Sequence, residues 1–401
     1  MSAPQPGTSS APAPSDASSA GFLANNFDLV RLFAALQTVL EHGVFYILLC
    51  RHDWHGLPLP LRHLLDFHGV AIFFVISGYL VSASWERAGS VLAYARNRVL
   101  RIYPALWMCL LLSVIVVFAL RVPVSAGELL KWLAAQATFL QCFNPDFFRE
   151  RGVGLLSPGK GVINGALWTI TVELQFYIVF PVLHALLKMI WNGRAPGRLA
   201  SIAATIAFGF LGWLSVRHGG RLFPENFNHL PYLNLTFIPH FYLFLFGWAL
   251  RKNFDWLAPI LRGKALFWIG GLCLLVLMRG TFGFPYPRGV MIYPSIQYLL
   301  LGLAAVSCAH TAPSLAKKIL RGNDISYGIY IYHMLVLSLF MELGLYGWFL
   351  ATGYKNLALF VLVTLLAAVL SWFLVERPAL RLKRRVPRLF ARGGAFNRPP
   401  P

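Results

Sequence analysis

Acidic residues are scarce in this chain: 15 Asp and Glu among 401 residues, against 35 Lys and Arg. Charge of either sign makes up only 12% of the sequence, 57% is hydrophobic, and mean hydropathy is +0.62. These proportions exclude an ordinary water-soluble globular domain. In such a chain a formal net charge of +20 reads as loop charge that orients spans across a bilayer, and it argues against a nucleic-acid partner. Cysteines are few and scattered. Cys50, Cys109, Cys142, Cys273 and Cys308 have no CxxC or Cys/His pair spacing, so neither a disulfide framework nor a metal site is expected. Residues 1–24 lack Lys and Arg and lack the apolar core of a cleavable signal, which leaves a disordered, cytoplasmic N-terminal tail as the expected reading.

Long apolar runs are abundant. A span needs about 20 mostly apolar residues, and such runs occur at 27–50, 64–85, 98–120, 163–190, 199–217, 233–251, 265–279, 292–309, 326–345 and 356–375. The expected fold class is all-α, a polytopic integral membrane helical bundle of about ten transmembrane helices filling residues 25–376. Ser125 followed by Glu128 has the form of a capping box, opening a helix over 125–140 with an apolar face, expected to lie in the membrane interface. An extracytoplasmic loop should follow over 141–162. Of the 35 Lys and Arg, 22 fall on the connections after the even-numbered spans, counted with the span ends that flank them, or on the tail after the tenth. By the positive-inside rule both termini are then cytoplasmic, the basic tail 377–401 included. No internal repeat of the kind common in secondary transporters is visible.

An ionisable group inside a span costs several kcal/mol unless it is paired or faces a cavity, so each is a candidate. The first span holds Asp28, Arg31, Glu41 and His42. Arg31 and His42 are eleven residues apart, about three helical turns and ~16 Å along the axis, hence on one face. In this topology Arg31 lies near the inner surface and His42 in the outer half. At the start of the third span Arg98 and Arg101 are three residues apart and therefore neighbours on a helix. Their guanidinium forks suit phosphate oxygens, although basic residues there also serve as plain membrane anchors. Glu173 lies inside INGALWTITVELQFYIVFP without a basic neighbour, and a buried carboxylate must be protonated, hydrogen-bonded or paired. Counting inward from the outer surface puts it near the level of His42, the parts of an acid–base dyad. His333 is a second intramembrane histidine, expected in the inner half, with its role open between donor binding and a buried hydrogen bond. Gly78 and Gly247 read as close-packing positions. Ser77 in SGY lacks the setting of a nucleophile elbow, which leaves it a supporting residue.

Taken in order, FDLVRLFAALQTVLEH, GVAIFFVISGYL, Arg98 and Arg101 ahead of Ile102, Tyr103 and Pro104, NGALWTITVEL with Trp168 and Glu173, and ISYGIYIYH resemble acyltransferase family 3, the polytopic membrane O-acyltransferases of surface polysaccharides. The resemblance extends over all ten spans. It implies a catalytic His42 with Glu173 orienting or charge-balancing it, donor binding by Arg31, Arg98 and Arg101, and supporting roles for Asp28, Ser77, Trp168 and His333. Where many family members read VEEQ this chain reads Val172, Glu173, Leu174, Gln175.

The resemblance also implies the reaction: an acyl group, acetyl by family default, moves from cytoplasmic acyl-CoA to a sugar hydroxyl of an envelope or exopolysaccharide glycan, free or lipid-linked. Acetyl-CoA is then a co-substrate, no bound cofactor is expected, and the setting is the lipid bilayer of a bacterial inner membrane. The alternative is a transporter or flippase of a lipid-linked glycan, in which Arg31, His42 and Glu173 line a polar pathway. A structural subunit without chemistry is the third reading.

Overall fold

Apolar runs of this length must satisfy their backbone polar groups internally once out of water, and helices do so within one segment. The computed structural model describes residues 25–48, 67–121, 124–138, 164–218, 233–282, 296–345 and 351–382, and among them there are helices but no strand. The segments expected as tail at 1–24, as loop at 141–162 and over most of 377–401 lie outside the described residues. In chain order the helices are α1 (Phe27–Gly43, extended by a π-turn over Val44–Leu48), α2 (Gly69–Arg87), α3 (Val91–Ala119), α4 (Ala126–Gln136), α5 (Trp168–Ile190), α6 (Arg198–His218), α7 (Phe241–Lys252), α8 (Phe254–Leu261), α9 (Ala265–Phe282), α10 (Ile296–Ala309), α11 (Leu315–Leu320), α12 (Ser326–Glu342) and α13 (Ala351–Ser371, with a π-turn over Trp372–Glu376).

Every expected span contains a helix, yet the count of ten spans is not reached by length and composition. Among the described residues five helical stretches are long and apolar enough to cross a bilayer: Gly69–Arg87, Val91–Ala119, Gly165–Ile190, Arg198–His218 and Gly353–Leu382. A sixth is met if Phe254–Leu261 and Ala265–Met278, which meet at 80°, form one broken span. Helices α1, α7, α10 and α12 have 17, 12, 14 and 17 described residues, below the ~20 that a full crossing needs, and most residues of α7, α10 and α12 are buried. From Phe241 to Leu245, α7 is buried on every side, a core helix rather than a lipid-facing one. The chain is an integral membrane protein. Helix α4 is capped as expected: the Ser125 hydroxyl accepts from the Glu128 amide, and the Glu128 carboxylate accepts from the Ser125 amide at 3.0 Å.

Contact between α2 and α7 rests on two glycines. A Cβ on Gly78 would strike the Phe244 carbonyl oxygen, and one on Gly247 would strike that of Val75. Both were expected to allow close packing, and the backbones do meet there, as small residues permit. Around this contact Phe176, Phe180, Phe241 and Phe244 pack ring against ring, with centroids 5.2 to 5.5 Å apart.

Three pairings set the depths of the functional side chains. Helix α1 runs antiparallel to α2, since the Gly69 amide donates to Gln37 at 2.6 Å while Phe27 meets Tyr79 at 4.8 Å. It runs parallel to α12, since Arg31 meets Asp324 and, farther along both helices, His42 meets His333. Helix α5 is antiparallel to α12, with Asn164 against Ile331 and Thr169 against Tyr330.

Candidate active site

Helices α1, α2, α3, α5 and α12 enclose a cavity of about 440 Å³ whose lining includes Asp28, Arg31, Ser77, Arg87, Arg98, Arg101, Glu173, Asp324 and Tyr330. Four guanidinium groups therefore share this space with three carboxylates. The central pairing is Asp324, whose Oδ2 accepts from Arg101 Nη2 at 2.5 Å and lies 3.0 Å from Arg31 Nη2. Arg31 also pairs with Asp28. Asp324 is oriented from its own side, for Oδ1 accepts from the Ser326 amide at 3.2 Å and the Ser326 hydroxyl at 2.5 Å. Burial alone would raise the pKa of this carboxyl, but Arg31, Arg101 and the Ser326 hydrogen bonds outweigh it and hold the group well below the usual carboxylate range.

Arg98 is held differently. Its Nη2 donates to Ser84 at 3.2 Å, and its guanidinium lies 5.5 Å from the Tyr177 ring centroid. The Nε atoms of Arg31 and Arg98 are buried and have no partner among the described residues. An orphaned buried donor costs about 1–3 kcal/mol, so both atoms favour an acceptor brought in from outside. Facing Arg98 across the cavity, Glu173 accepts from Ser77 Oγ at 3.0 Å and from the Tyr177 hydroxyl.

Glu173 thus sits elsewhere than expected. Ser77 is two residues from Tyr79, which meets Phe27, so Glu173 lies at the level of Asp28 and Arg31 rather than that of His42. Counting from the outer surface misplaced it because helix α5 starts inside the bundle. Asn164 is already buried, donating to the Ile331 carbonyl at 2.8 Å, and a short 3-10 turn over Gly165–Leu167 precedes Trp168. Among the described contacts Glu173 has none with His42, and the expected dyad is not formed.

The partner of His42 is His333. Their rings stack at 5.1 Å with 11° between planes, and His42 Nδ1 lies 2.9 Å from His333 Nε2. His333 is therefore level with His42, whereas the two were expected in opposite halves of the bundle; its helix starts beside the arginine cluster and carries the residue about two turns away from it. The cavity stops short of the two histidines. Tyr330, which accepts a 2.8 Å hydrogen bond from Thr169, forms its far wall and touches the His333 ring at 5.7 Å. Trp168 stands beside this wall, 6.4 Å from Phe74 and 5.4 Å from a buried His240.

Of the nine residues singled out from the sequence, Asp28, Arg31, Ser77, Arg98, Arg101 and Glu173 line one cavity, and His42 and His333 form a pair about 16 Å along α1 from Arg31. Asp324, Tyr330 and Thr169 escaped notice. The signal for Asp324 was present: an acid two residues before the serine that opens an apolar run, the spacing of a helix-start hydrogen bond. Among the described residues no group of three or more His, Cys, Asp or Glu has the arrangement of a metal site.

Comparison with known proteins gives the family. Residues 25–376 match the family model described as the acyltransferase domain. Nodulation protein 10 of Rhizobium leguminosarum bv. viciae is 32% identical over 371 residues, covering 90% of this chain and 94% of that protein. The O-acetyl transferase of Shigella phage Sf6 is 26% identical over 88% of this chain and 95% of its own length. The exopolysaccharide production protein ExoZ of Rhizobium meliloti is 28% identical over 79% and 90%. No solved structure matches.

Proposed function

Given that the chain belongs to the acyltransferase domain family and is an integral membrane O-acyltransferase, we propose that it moves an acetyl group from cytoplasmic acetyl-CoA to a sugar hydroxyl of an envelope or exopolysaccharide glycan. The observation that carries the donor half is the arginine cavity. Arg31, Arg98 and Arg101 converge on one space, two of them with buried Nε donors that have no partner among the described residues. Phosphate oxygens are the acceptors that guanidinium forks match best, and acyl-CoA presents phosphates at one end of a long arm. The glycan half rests on the relatives' names, an O-acetyl transferase and an exopolysaccharide production protein.

In this reading the nucleotide end lies among the arginines and the pantetheine arm runs past Tyr330 toward His42, a distance of the order of the ~16 Å between Arg31 and His42. Neutral His42 takes the proton of the acceptor hydroxyl as its oxygen bonds to the acyl carbon. The C–S bond breaks, and the proton passes from the imidazolium to the departing thiolate. Direct attack by His42 on the thioester, with a short-lived acyl-imidazole, balances equally well. Glu173, at the level of the arginines, offsets their charge, and Asp28 does the same for Arg31. The protein resides in the bacterial inner membrane with both termini cytoplasmic, so that Arg98 and Arg101 face the compartment that holds the donor.

The test uses purified protein in liposomes with labelled acetyl-CoA and a polysaccharide acceptor. Label should move to the glycan, and His42→Ala should abolish the transfer. Translocation of a lipid-linked glycan without any transfer of label would replace this reading with a flippase.

A further inference from the structure

We infer that His333 is a positioning residue that sets the tautomer of His42, keeping a proton on His42 Nδ1 and leaving Nε2 as the basic atom. The inference rests on the reading of His42 as the acyl-transfer base and specifies how that base is prepared. It follows from the hydrogen-bond inventory of an imidazole. His333 Nδ1 lies 2.5 Å from the Tyr330 carbonyl oxygen. A carbonyl only accepts, so His333 Nδ1 carries a proton, and in a neutral ring Nε2 is then an acceptor. That same Nε2 is 2.9 Å from His42 Nδ1. Two acceptors cannot share a hydrogen bond, so His42 Nδ1 carries the proton. His42 Nε2 is left with its lone pair in the plane of the ring. It takes part in none of the described hydrogen bonds, and His42 is partly exposed where His333 is wholly buried.

Every link in this chain is anchored in backbone or packing. The Tyr330 carbonyl lies one turn before His333 on the same helix, so the donor–acceptor distance is built into α12. Tyr330 is itself held by Thr169 at 2.8 Å and packs on Phe73 at 5.3 Å. The two imidazoles stack within 11° of parallel, which restricts rotation of His42. A carboxylate usually orients a catalytic histidine. A neutral imidazole does the same here without placing a buried negative charge beside the acyl-transfer site. When His42 Nε2 takes the acceptor's proton, Nδ1–H remains donated to His333 Nε2, so the proton moves between substrate and His42 alone and His333 needs no change of state.

Two His333 variants separate the acceptor from mere bulk. In His333→Gln the side-chain oxygen can still accept from His42 Nδ1–H, whereas His333→Leu fills space without an acceptor. General-base catalysis contributes about 10²–10⁴-fold. His333→Leu should therefore lose roughly 100-fold or more in kcat with the KM for acetyl-CoA unchanged, and His333→Gln should recover most of it. The structural readout is the ¹⁵N spectrum of histidine-labelled protein in liposomes. His42 Nε2 should resonate as an unprotonated, pyridine-type nitrogen in the wild type and in His333→Gln, and shift toward the protonated type in His333→Leu. A protonated His42 Nε2 in the neutral wild-type ring overturns the inference. So does full kcat in His333→Leu, or an equal loss in both variants with the unfolding temperature of the wild type. If His42→Ala transfers acetyl groups at the wild-type rate, the catalytic reading of His42 fails instead, and the spectrum still reports the tautomer.

Discussion

Asp324 and Arg101, 223 positions apart in sequence, are joined at 2.5 Å, and the same Asp324 oxygen lies 3.0 Å from Arg31. One carboxylate therefore ties together α1, α3 and the start of α12 at the mouth of the candidate donor cavity. Removing one partner from such a buried pair costs about 3–5 kcal/mol, because the remaining charges are left uncompensated. Asp324→Asn is expected to lower the apparent unfolding temperature in detergent by an amount equivalent to roughly 3 kcal/mol. Saturating acetyl-CoA should restore part of that loss, since its phosphates supply the missing negative charge. An unchanged unfolding temperature would show that Asp324 does not hold these helices.

The same carboxylate predicts a pH profile for stability. Its pKa is depressed in the folded protein, despite burial, by Arg31, Arg101 and Ser326. A depressed carboxyl stabilises above its unfolded value, about 3.9 for Asp, and that contribution fades as pH falls through the folded value. Between pH 5 and 8 Asp324 should add no slope to the unfolding temperature. Below about pH 4 the wild type should lose stability progressively, and Asp324→Asn should show a shallower decline. Parallel acid limbs in the two proteins would contradict the assignment.

Among the described residues Arg98 has one hydrogen bond, to Ser84, and a buried Nε without a partner. Its loss should therefore cost binding more than folding. A hydrogen bond to a charged group is worth about 1.5–3 kcal/mol, and 1.4 kcal/mol is tenfold in affinity. Arg98→Gln is expected to raise the KM for acetyl-CoA about tenfold or more with little change in kcat. Arg98→Lys should fall between, since it keeps the charge and loses the fork. Steady-state kinetics in liposomes decides this. A fall in kcat at constant KM would place Arg98 in the chemistry instead of the donor site.

How much of this was legible in the sequence depends on what each inference needed. Helix positions required only apolar run length, and each expected span contains a helix. Arg31 and His42 needed only the 3.6-residue repeat, and both do serve one side of α1, against α12. Glu173 and His333 needed depth, which is a property of where a helix begins inside the bundle. A buried Asn164 precedes α5 and a buried Asp324 precedes α12, so both helices begin among neighbours, and residue counts from the ends of the apolar runs do not give which side chains share a level. The pairing of His42 with His333 joins residues 291 apart, and no local pattern announces it.

The position of Glu173 yields a kinetic distinction. It accepts from Ser77 and Tyr177 and lines the arginine cavity rather than touching His42. Glu173→Gln should therefore change the KM for acetyl-CoA while the pH dependence of kcat stays that of the wild type. A displaced kcat profile would mean that Glu173 acts on His42 after all, through rearrangement when substrate binds.

Gly78 tests whether the cavity depends on close helix contact. It follows Ser77, the residue that holds Glu173, and a Cβ there would meet the Phe244 carbonyl oxygen, a backbone atom that cannot turn aside. Helices α2 and α7 would have to separate, and overpacking of this kind costs about 1–3 kcal/mol. Because Ser77 rides on the displaced helix, Gly78→Ala should lower the unfolding temperature and raise the KM for acetyl-CoA together. Gly271 in α9 is the control, since a Cβ there meets nothing within 4 Å, and Gly271→Ala should be neutral or stabilising by up to about 1 kcal/mol. If Gly78→Ala lowers stability without touching KM, the α2–α7 contact supports the bundle but does not position the donor site.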